Sequence, residues 1–261
     1  YEQLNDEQVQ EEIRATFPKP EIHRRNTGYA LDSLLDNSVF DNRSEQQFNM
    51  CKLLAGSEGT LAFSTEITLQ LDVLPPKHGV MVAAHFESIT ACLEAVVPAM
   101  QHKLYACEMM DKVILDCTLN NREQQKNRFF IEGDPAAILM LEVRADTLDD
   151  ARKQALELIA TIENSGLSYA YPTLEGSQIN QALELRKAGL GLLGNIVGDR
   201  KAVACIEDTA VALEDLAPYI NEFSALMADF KQDAVYYAHA GAGELHLRPI
   251  LDLKKADDVV L

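Results

Sequence analysis

The chain has 261 residues, of which 47% are hydrophobic and 25% charged, so its composition is that of a globular protein and excludes disorder. Asp and Glu outnumber Lys and Arg by 41 to 23, and the net charge of −18 argues against a nucleic-acid partner because such a surface repels phosphate. No apolar run approaches the roughly 20 residues that a membrane-spanning helix needs, so we expect no transmembrane segment.

The first part of the chain is polar and predicts little regular structure. A helical pattern covers Glu7–Phe17, and a second, brief apolar helix is predicted at Phe48–Leu54. The run Thr60–Leu71 alternates apolar and polar residues and is rich in β-branched side chains. We therefore predict a strand over this run.

From a proline pair at Pro75-Pro76 onward the predicted elements change in character. Because two prolines cannot continue a strand ladder, we place a domain boundary there, which separates residues 1–75 from residues 76–261. The second domain predicts strands at Val80–Phe86, Tyr105–Leu115, Ala136–Val143, Leu167–Leu174, Lys201–Ile206, Ala234–His239 and Glu244–Ile250. Helices are predicted at Ile89–His102, Leu148–Asn164, Ser177–Leu190 and Leu213–Phe230.

The order of these elements predicts the fold class. Two consecutive β-α-β units are typical of a ferredoxin-like antiparallel sheet. We therefore predict an α+β fold with the helices on one face of the sheet. No Gly-x-Gly-x-x-Gly turn follows a strand, which argues against a Rossmann dinucleotide site. Five scattered cysteines without a Cys-x-x-Cys spacing argue against a disulfide framework, a zinc ribbon or an iron–sulfur ligand set within this chain.

Two histidines near the end of the sequence form the sharpest candidate site. If the chain reverses at Ala242-Gly243, His239 and His246 face each other across a hairpin, with Cβ atoms roughly 5 Å apart. Two neutral imidazoles presented in this way can share one divalent metal ion. Arg248 lies on the same face, where a guanidinium suits a small carboxylate. Stacked histidines that bind nothing are the alternative, because two ligands do not complete a metal site.

Three further segments carry weaker signals. The segment Gly56-Ser57-Glu58-Gly59 forms a tight loop whose amides suit a phosphate or a flavin edge, although a plain turn is the favoured interpretation. Arg186 lies on a predicted helix beside Gly189 and points either into solvent or into a cleft. Glu207 and Asp208 follow an apolar strand; the favoured interpretation is that they cap the next helix or lie in water, and the alternative is that they act as acids or metal ligands.

Together these segments resemble the FAD-linked oxidase family with the vanillyl-alcohol-oxidase-type flavin fold, whose members oxidise D-lactate, glycolate and D-2-hydroxyglutarate. The resemblance rests on Asn26–Leu31, Gly56–Leu61 and Ala238–Pro249, in this order, and covers nearly the whole chain. The last segment is most similar to the large bacterial members that fuse the flavoprotein to an iron–sulfur region. The resemblance implies that residues 1–75 are a remnant of the FAD-binding domain, and that residues 76–261 are the C-terminal substrate (cap) domain, truncated at its end.

The resemblance also implies roles for individual residues. His239 and His246 match the catalytic pair that binds a divalent metal, usually zinc, beside the flavin. Arg186 matches the helix arginine that holds the substrate carboxylate, and Arg248 sits where relatives often carry a polar residue that reaches the substrate. The loop that lies against FAD in the family is matched by Gly56, Ser57, Glu58 and Gly59.

The function implied by the resemblance is that of a fragment of an FAD-dependent enzyme that oxidises a D-2-hydroxy acid by metal-assisted hydride transfer to flavin. The third metal ligand and the catalytic base are expected outside this chain, so the fragment alone should be inactive and should bind FAD weakly. We expect an iron–sulfur cluster elsewhere in the parent enzyme. We also expect the enzyme to be a cytoplasmic homo-oligomer. Whether it associates peripherally with a membrane, and which electron acceptor it uses, are left open. The alternative is a non-catalytic ferredoxin-like module that binds a small molecule or dimerises, because a fold does not fix a function.

Overall fold

The computed structural model of the protein describes residues 2–25 and 28–260, except for the side chain of Leu190. Asn26 and Thr27, which belong to the first segment of the resemblance, lie outside the described residues. The chain forms two compact units, Tyr1–Val73 and Leu74–Leu261. Among the described residues, no helix combines the length and the apolar character that spanning a bilayer requires.

In the described residues of the first unit, three short α-helices, a 3-10 turn at Gln3–Asn5 and irregular segments form the structure. The helix α1 (Glu7–Thr16) confirms the predicted helix, and Asp6 caps it by accepting hydrogen bonds from the backbone N–H groups of the first turn. Two shorter helices follow, α2 (Leu31–Leu35) and α3 (Cys51–Ala55). The small apolar core of the unit consists of Ile13, Leu34, Leu35 and Leu53.

The strand predicted at Thr60–Leu71 is wrong, because these residues form neither a strand nor a helix. Their apolar side chains are solvent-exposed: Phe63 is 92% exposed and Leu71 is 78% exposed. The alternation of apolar and polar residues is real, but a strand exists only where a neighbouring strand accepts its backbone hydrogen bonds. No such neighbour lies beside this run among the residues that the structure describes.

A nine-stranded antiparallel sheet forms the centre of the described part of the second unit. Its strands are β1 (His78–Phe86), β2 (Leu104–Asp111), β3 (Ala137–Ala145), β4 (Ser168–Ala170), β5 (Thr173–Glu175), β6 (Lys201–Ala202), β7 (Ile206–Ala210), β8 (Ala234–His239) and β9 (Glu244–Leu251). The helices are α4 (Ile89–Glu94), α5 (Val96–Ala99), α6 (Lys112–Leu119), α7 (Leu148–Ser165), α8 (Ser177–Leu192), α9 (Leu216–Asp229) and α10 (Ala256–Val260). The strand order is β4-β1-β3-β2-β8-β9-β6, with β5 paired to β1 and β7 paired to β9. This mixture of helices with an antiparallel sheet is compatible with the predicted α+β class.

Helices cover both faces of the sheet, so the prediction of helices on one face is wrong. On one face, Val80, Val82 and Phe86 pack in a core with α4, α5, α7 and α9. On the other face, Met81 and Ala83 pack in a second core with α6 and α8. A strand that is buried on both faces is apolar at nearly every position, and β1 shows this continuous pattern rather than an alternating one.

Several predicted elements differ at their ends for identifiable reasons. The helix predicted at Ile89–His102 is divided into α4 and α5, since Pro98 lacks the N–H that would bond the Glu94 carbonyl. The strand predicted at Tyr105–Leu115 ends at Asp111, whose side chain accepts a hydrogen bond from the Ile114 N–H and caps α6. The single strands predicted at Leu167–Leu174 and Lys201–Ile206 are each two short strands, β4 with β5 and β6 with β7.

Candidate metal and carboxylate site

Polar side chains from several distant elements converge on the face of the sheet that α8 covers. His239 on β8 and His246 on β9 belong to this face, because they alternate with residues that lie in the opposite core. Glu108 reaches it from β2 and Arg186 from α8. Glu207 reaches it from β7, which pairs with β9. The structure therefore brings together the two predicted histidines, the two predicted arginines and carboxylates from two other strands.

The register of the β8–β9 hairpin differs by two residues from the predicted one. His239 pairs with Glu244 and Tyr237 pairs with His246, so the predicted direct pair of His239 and His246 is wrong. Because a shift of two residues preserves the side-chain face, the two imidazoles are still diagonal neighbours. Their ring centroids lie 5.4 Å apart with the rings nearly perpendicular.

The connection between the two strands explains the changed register. Instead of a two-residue turn at Ala242-Gly243, the chain makes a single 3-10 turn over Ala240–Ala242 and then places Gly243 at φ +69°. The four-residue connection ends the pairing earlier than a two-residue turn would. Gly243 is needed because its Cβ, if it had one, would lie 2.1 Å from the carbonyl oxygen of Val211.

His239 and Arg186 meet on one carboxylate, that of Glu108. The Nδ1 atom of His239 lies 3.0 Å from Oε1 of Glu108, and Nη2 of Arg186 lies 2.5 Å from Oε2. The same Nη2 donates to the carbonyl oxygen of Ala238 at 3.1 Å. The hydrogen bond with Glu108 raises the pKa of His239, while partial burial of the ring opposes that rise.

His246 contacts two other carboxylates, those of Glu207 and Asp208. The Nδ1 atom of His246 lies 2.6 Å from Oε2 of Glu207 and 3.2 Å from Oδ1 of Asp208. Arg248 donates from Nε to Oε1 of Glu207 at 2.6 Å, so one carboxylate orients an imidazole and a guanidinium together. Asp208 adopts φ +56°, in the left-handed region.

Tyr237 completes the wall beside His246. The two rings stack at 4.4 Å, and the Tyr237 hydroxyl donates to Oε2 of Glu207 at 3.4 Å. Burial raises the pKa of Tyr237 to about 12, so the phenol is neutral at physiological pH. The Arg248 guanidinium carbon lies 5.1 Å from the centre of the same ring.

The donor atoms offer two arrangements for a metal ion. Ligand atoms of Glu207, Asp208 and His246 all lie within 4.8 Å of one another. In the other arrangement the Nε2 atoms of His239 and His246 would hold the ion, because each Nδ1 is already engaged by a carboxylate. Among the described residues, neither Nε2 atom has a hydrogen-bond partner.

Three carboxylates of the site, those of Glu207, Asp208 and Glu108, lie where the favoured interpretation of the sequence does not place them. The favoured prediction places Glu207 and Asp208 at the cap of the next helix or in water, but Glu207 instead bonds His246 and Arg248. Glu108 is not among the predicted site residues, and the signal for it in the sequence is a charged residue between Cys107 and Met109 in an apolar strand.

The predicted flavin loop lies in the first unit, where it forms a compact turn. The N–H of Ser57 bonds the carbonyl of Leu54, and the N–H of Thr60 bonds the carbonyl of Ser57. Glu58 and Gly59 both adopt positive φ, at +49° and +76°. A shallow concavity is lined by Gly28, Tyr29, Gly56, Ser57, Glu58 and Thr60.

A comparison with known families identifies the second unit. The family described as "FAD linked oxidases, C-terminal domain" matches residues 75–260, which is well over half of the chain. The chain belongs to the FAD-linked oxidase family. All the residues of the candidate site lie within the matched FAD-linked oxidase C-terminal domain.

Individual relatives of this FAD-linked oxidase chain carry related names. It is 32% identical to a D-2-hydroxyglutarate dehydrogenase of Pseudomonas putida, over 93% of this chain and 24% of the relative. It is 25% identical to a D-lactate dehydrogenase of Archaeoglobus fulgidus, over 87% of this chain and 49% of the relative. A solved structure of 4-ethylphenol oxidase from Gulosibacter chungangensis aligns with a TM-score of 0.45 and 14% identity, over 70% of this chain and 41% of that one. The chain thus spans about a quarter of the length of the first relative.

Proposed function

We propose that this chain is the substrate-binding domain of an FAD-dependent enzyme that oxidises a D-2-hydroxy acid, with a divalent metal ion, zinc in the first instance, held by His239 and His246. The observation that carries the proposal is the pair of imidazoles 5.4 Å apart, each with Nδ1 on a carboxylate. The class of substrate is supported by the names of the relatives, which are dehydrogenases of D-2-hydroxyglutarate and D-lactate.

The donor set of the site fits zinc. A carboxylate on Nδ1 leaves Nε2 of a neutral imidazole as the metal ligand, and this arrangement recurs around zinc in proteins. Imidazole nitrogens bind zinc at about 2 Å, and carboxylates and substrate oxygens complete such sites. When bound, zinc supplies a Lewis acid at the substrate hydroxyl and FAD supplies the acceptor for the hydride.

The arginines orient the substrate in this proposal. Arg248 uses only its Nε on Glu207, so its two Nη groups have no bond to any described residue and are available to a carboxylate. Arg186 is the second candidate, held in place by Glu108 and by the Ala238 carbonyl. A guanidinium that is already fixed in orientation loses less side-chain entropy when it binds an anion.

The remaining parts of the proposal concern the architecture. We assign the part of the chain before Pro75-Pro76 to the end of an FAD-binding domain, with the amides of Glu58 and Gly59 facing the cofactor. The support is local: among the described residues, the N–H groups of Ser57 and Thr60 form hydrogen bonds within the turn, whereas those of Glu58 and Gly59 do not.

We also assign the sheet order β4-β1-β3-β2 to a ferredoxin-like unit, since its split β-α-β pattern supports that interpretation.

The metal part of the proposal is tested by zinc titration of the full chain against a competing chelating dye. We expect one zinc ion per wild-type chain, and a loss of affinity of at least about tenfold in His239→Ala and in His246→Ala, because each removes a ligand. Asp208→Asn is the control for location: asparagine tolerates the left-handed conformation, and Asp208 is not a ligand in the two-imidazole arrangement. A loss in Asp208→Asn and His246→Ala, but not in His239→Ala, would instead place the ion on the Glu207–Asp208–His246 group.

The substrate part is tested on the same zinc-loaded chain. We expect D-2-hydroxyglutarate or D-lactate to raise the apparent zinc affinity, because a 2-hydroxy carboxylate binds the ion and an arginine together. Arg248→Ala should reduce that gain without reducing the zinc affinity measured in the absence of the acid. Equal gains from the D and L enantiomers, or none from either, would contradict the assignment of the substrate class.

A further inference from the structure

Glu108 occupies a position between the two functional halves of the candidate site. Both of its oxygens lie 3.0 Å from Nδ1 of His239, and Oε2 also contacts the guanidinium of Arg186. The three residues come from three different elements, β2, β8 and α8. Glu108 therefore links the helix that carries the arginine to the strand that carries the histidine, beside the direct bond from Arg186 to the Ala238 carbonyl on that strand.

The position of Glu108 itself is set by the sheet. On β2 it is followed by Met109, which pairs with Ala238 on β8, so the same register sets Glu108 opposite His239. Neighbouring residues on paired strands have Cβ atoms about 5 Å apart, which suits a carboxylate and an imidazole in contact. The side chain is only 19% exposed, so little water competes for its oxygens.

We propose that Glu108 is a positioning residue that fixes the tautomer and orientation of His239, so that its Nε2 faces the metal, and that Arg186 holds Glu108 in place for this task. This inference rests on the proposed function for its metal, but not for its geometry. A carboxylate that accepts a hydrogen bond from Nδ1–H favours the neutral tautomer with its single proton on Nδ1, which leaves a lone pair on Nε2 for the metal. Without the carboxylate, the ring is free to turn and to adopt the other tautomer.

Two measurements on the full chain test this role. The first is the tautomer of His239, read from its ring nitrogen chemical shifts in metal-free protein at pH 9, with His239→Gln to assign the signals. We expect the Nδ1–H form in the wild type and in Glu108→Gln, whose amide oxygen still accepts from Nδ1–H. In Glu108→Ala we expect a shift toward the Nε2–H form.

The second measurement is the zinc affinity of the same variants. We expect a loss of about 10–100-fold in Glu108→Ala, the usual effect of removing a group that orients a metal-bound histidine, and a smaller loss in Glu108→Gln. Glu157→Ala, which removes an exposed carboxylate on α7, should leave the affinity unchanged and controls for overall charge. Circular dichroism checks that each variant keeps its fold.

The outcomes separate this inference from the proposed function. If His246→Ala abolishes zinc binding while Glu108→Ala changes neither the affinity nor the tautomer, the metal site stands and the role of Glu108 is overturned. If the wild type binds no zinc, the proposed metal site fails, and the tautomer measurement alone decides whether Glu108 positions His239. A tautomer that is the same in the wild type and in Glu108→Ala overturns the inference in either case.

Discussion

At the scale of single residues, Gly243 is the position in the hairpin connection that leaves the least space for a side chain. A Cβ at this position would lie 2.1 Å from the Val211 carbonyl oxygen, and the N–H of Val211 donates to the Gly243 carbonyl. Both contacts involve backbone, which cannot turn aside as a flexible side chain can. The loop between the two imidazole-bearing strands is therefore tied to the end of β7.

We predict that Gly243→Ala lowers the free energy of unfolding by about 1–3 kcal/mol, because it combines a positive φ with overpacking against backbone. Zinc affinity should fall as well, since the loop sets the spacing of His239 and His246. Urea unfolding and zinc titration are the measurements. Gly191→Ala is the matched control: a Cβ there has open space within α8, and it should be neutral or stabilise by up to about 1 kcal/mol. Equal effects of the two substitutions would refute the argument.

Individual site residues were predictable from the sequence to different degrees. The shared face of His239 and His246 follows from the period of two in a strand, which survives an error of two residues in register. The role of Glu108 was not predictable in this way, because it depends on the pairing of β2 with β8, more than a hundred residues along the chain. Long-range pairing of this kind leaves no local pattern.

At the scale of elements, Asp111 joins the end of β2 to the start of α6 and to β8. Its side chain accepts hydrogen bonds from the N–H of Ile114 at 3.0 Å and from the N–H of Tyr236 at 2.8 Å. Burial raises the pKa of this carboxyl to about 7 in spite of those bonds. In the unfolded chain the pKa of an aspartate is about 3.9, as in model peptides.

The stability of the protein should therefore depend on the titration of Asp111. Between about pH 4 and pH 7 the folded state holds a proton that the unfolded state releases, so the stabilising contribution is full below that window and is lost as the pH rises through it. Asp111→Asn, which cannot titrate and remains a good helix cap, should remove this dependence.

Urea unfolding of the wild type and of Asp111→Asn at pH 5 and pH 8 measures the effect. The change in unfolding free energy between these two pH values should differ by about 2–3 kcal/mol between the two proteins. Asp146→Asn, at an exposed aspartate, should keep the dependence of the wild type. An identical pH dependence in Asp111→Asn and the wild type would mean that Asp111 does not titrate in this range.

Elements with strong local signals were predicted well. The helix α7 begins after Thr147, whose hydroxyl accepts from the Asp150 N–H, and ends at Gly166 in the left-handed conformation, as its sequence indicates. The helix α6 is absent from the predicted elements because Val113, Ile114 and Leu115 resume the apolar pattern of β2 after Asp111 and Lys112, and a short apolar run does not distinguish a strand from a buried helix.

At the scale of the whole molecule, the segment from Leu61 to Leu74 is the most accessible apolar stretch in the described chain. It contains several large apolar side chains that are more than two thirds exposed: Phe63, Ile67, Leu69, Leu71, Val73 and Leu74. It includes the point where the first compact unit ends and the second begins. Such stretches are the usual sites of proteolytic cleavage.

We predict that brief digestion with chymotrypsin cleaves first within residues 61–74, because a protease needs an extended backbone that the fold does not protect. The C-terminal product should retain the sheet and should resist further digestion for longer than the N-terminal product. Mass spectrometry of the fragments identifies the cleavage site, and circular dichroism follows the retained structure. First cleavage within residues 78–251 would contradict this division of the molecule.

The layering of the sheet was only partly predictable. Most strands and helices of the second unit follow the predicted order, although α6 is not among the predicted helices, but a helix that follows a strand can return over either face. The continuous apolar character of β1 was the available sign that both faces are covered, since Met81 and Val82 are both fully buried on opposite faces.

The four-residue connection in the β8–β9 hairpin also bears on how insertions and deletions are tolerated there. A shift of two residues in the β8–β9 register changes the residue opposite each histidine but keeps both rings on the face that α8 covers. A shift of one residue would turn His246 toward the face that contains α9. A single inserted residue must therefore lengthen the connection without shifting the register, if both rings are to stay on one face. Two inserted residues can instead lengthen the connection or shift the register by two. Homologous hairpins of unequal length can thus retain the two rings on one side.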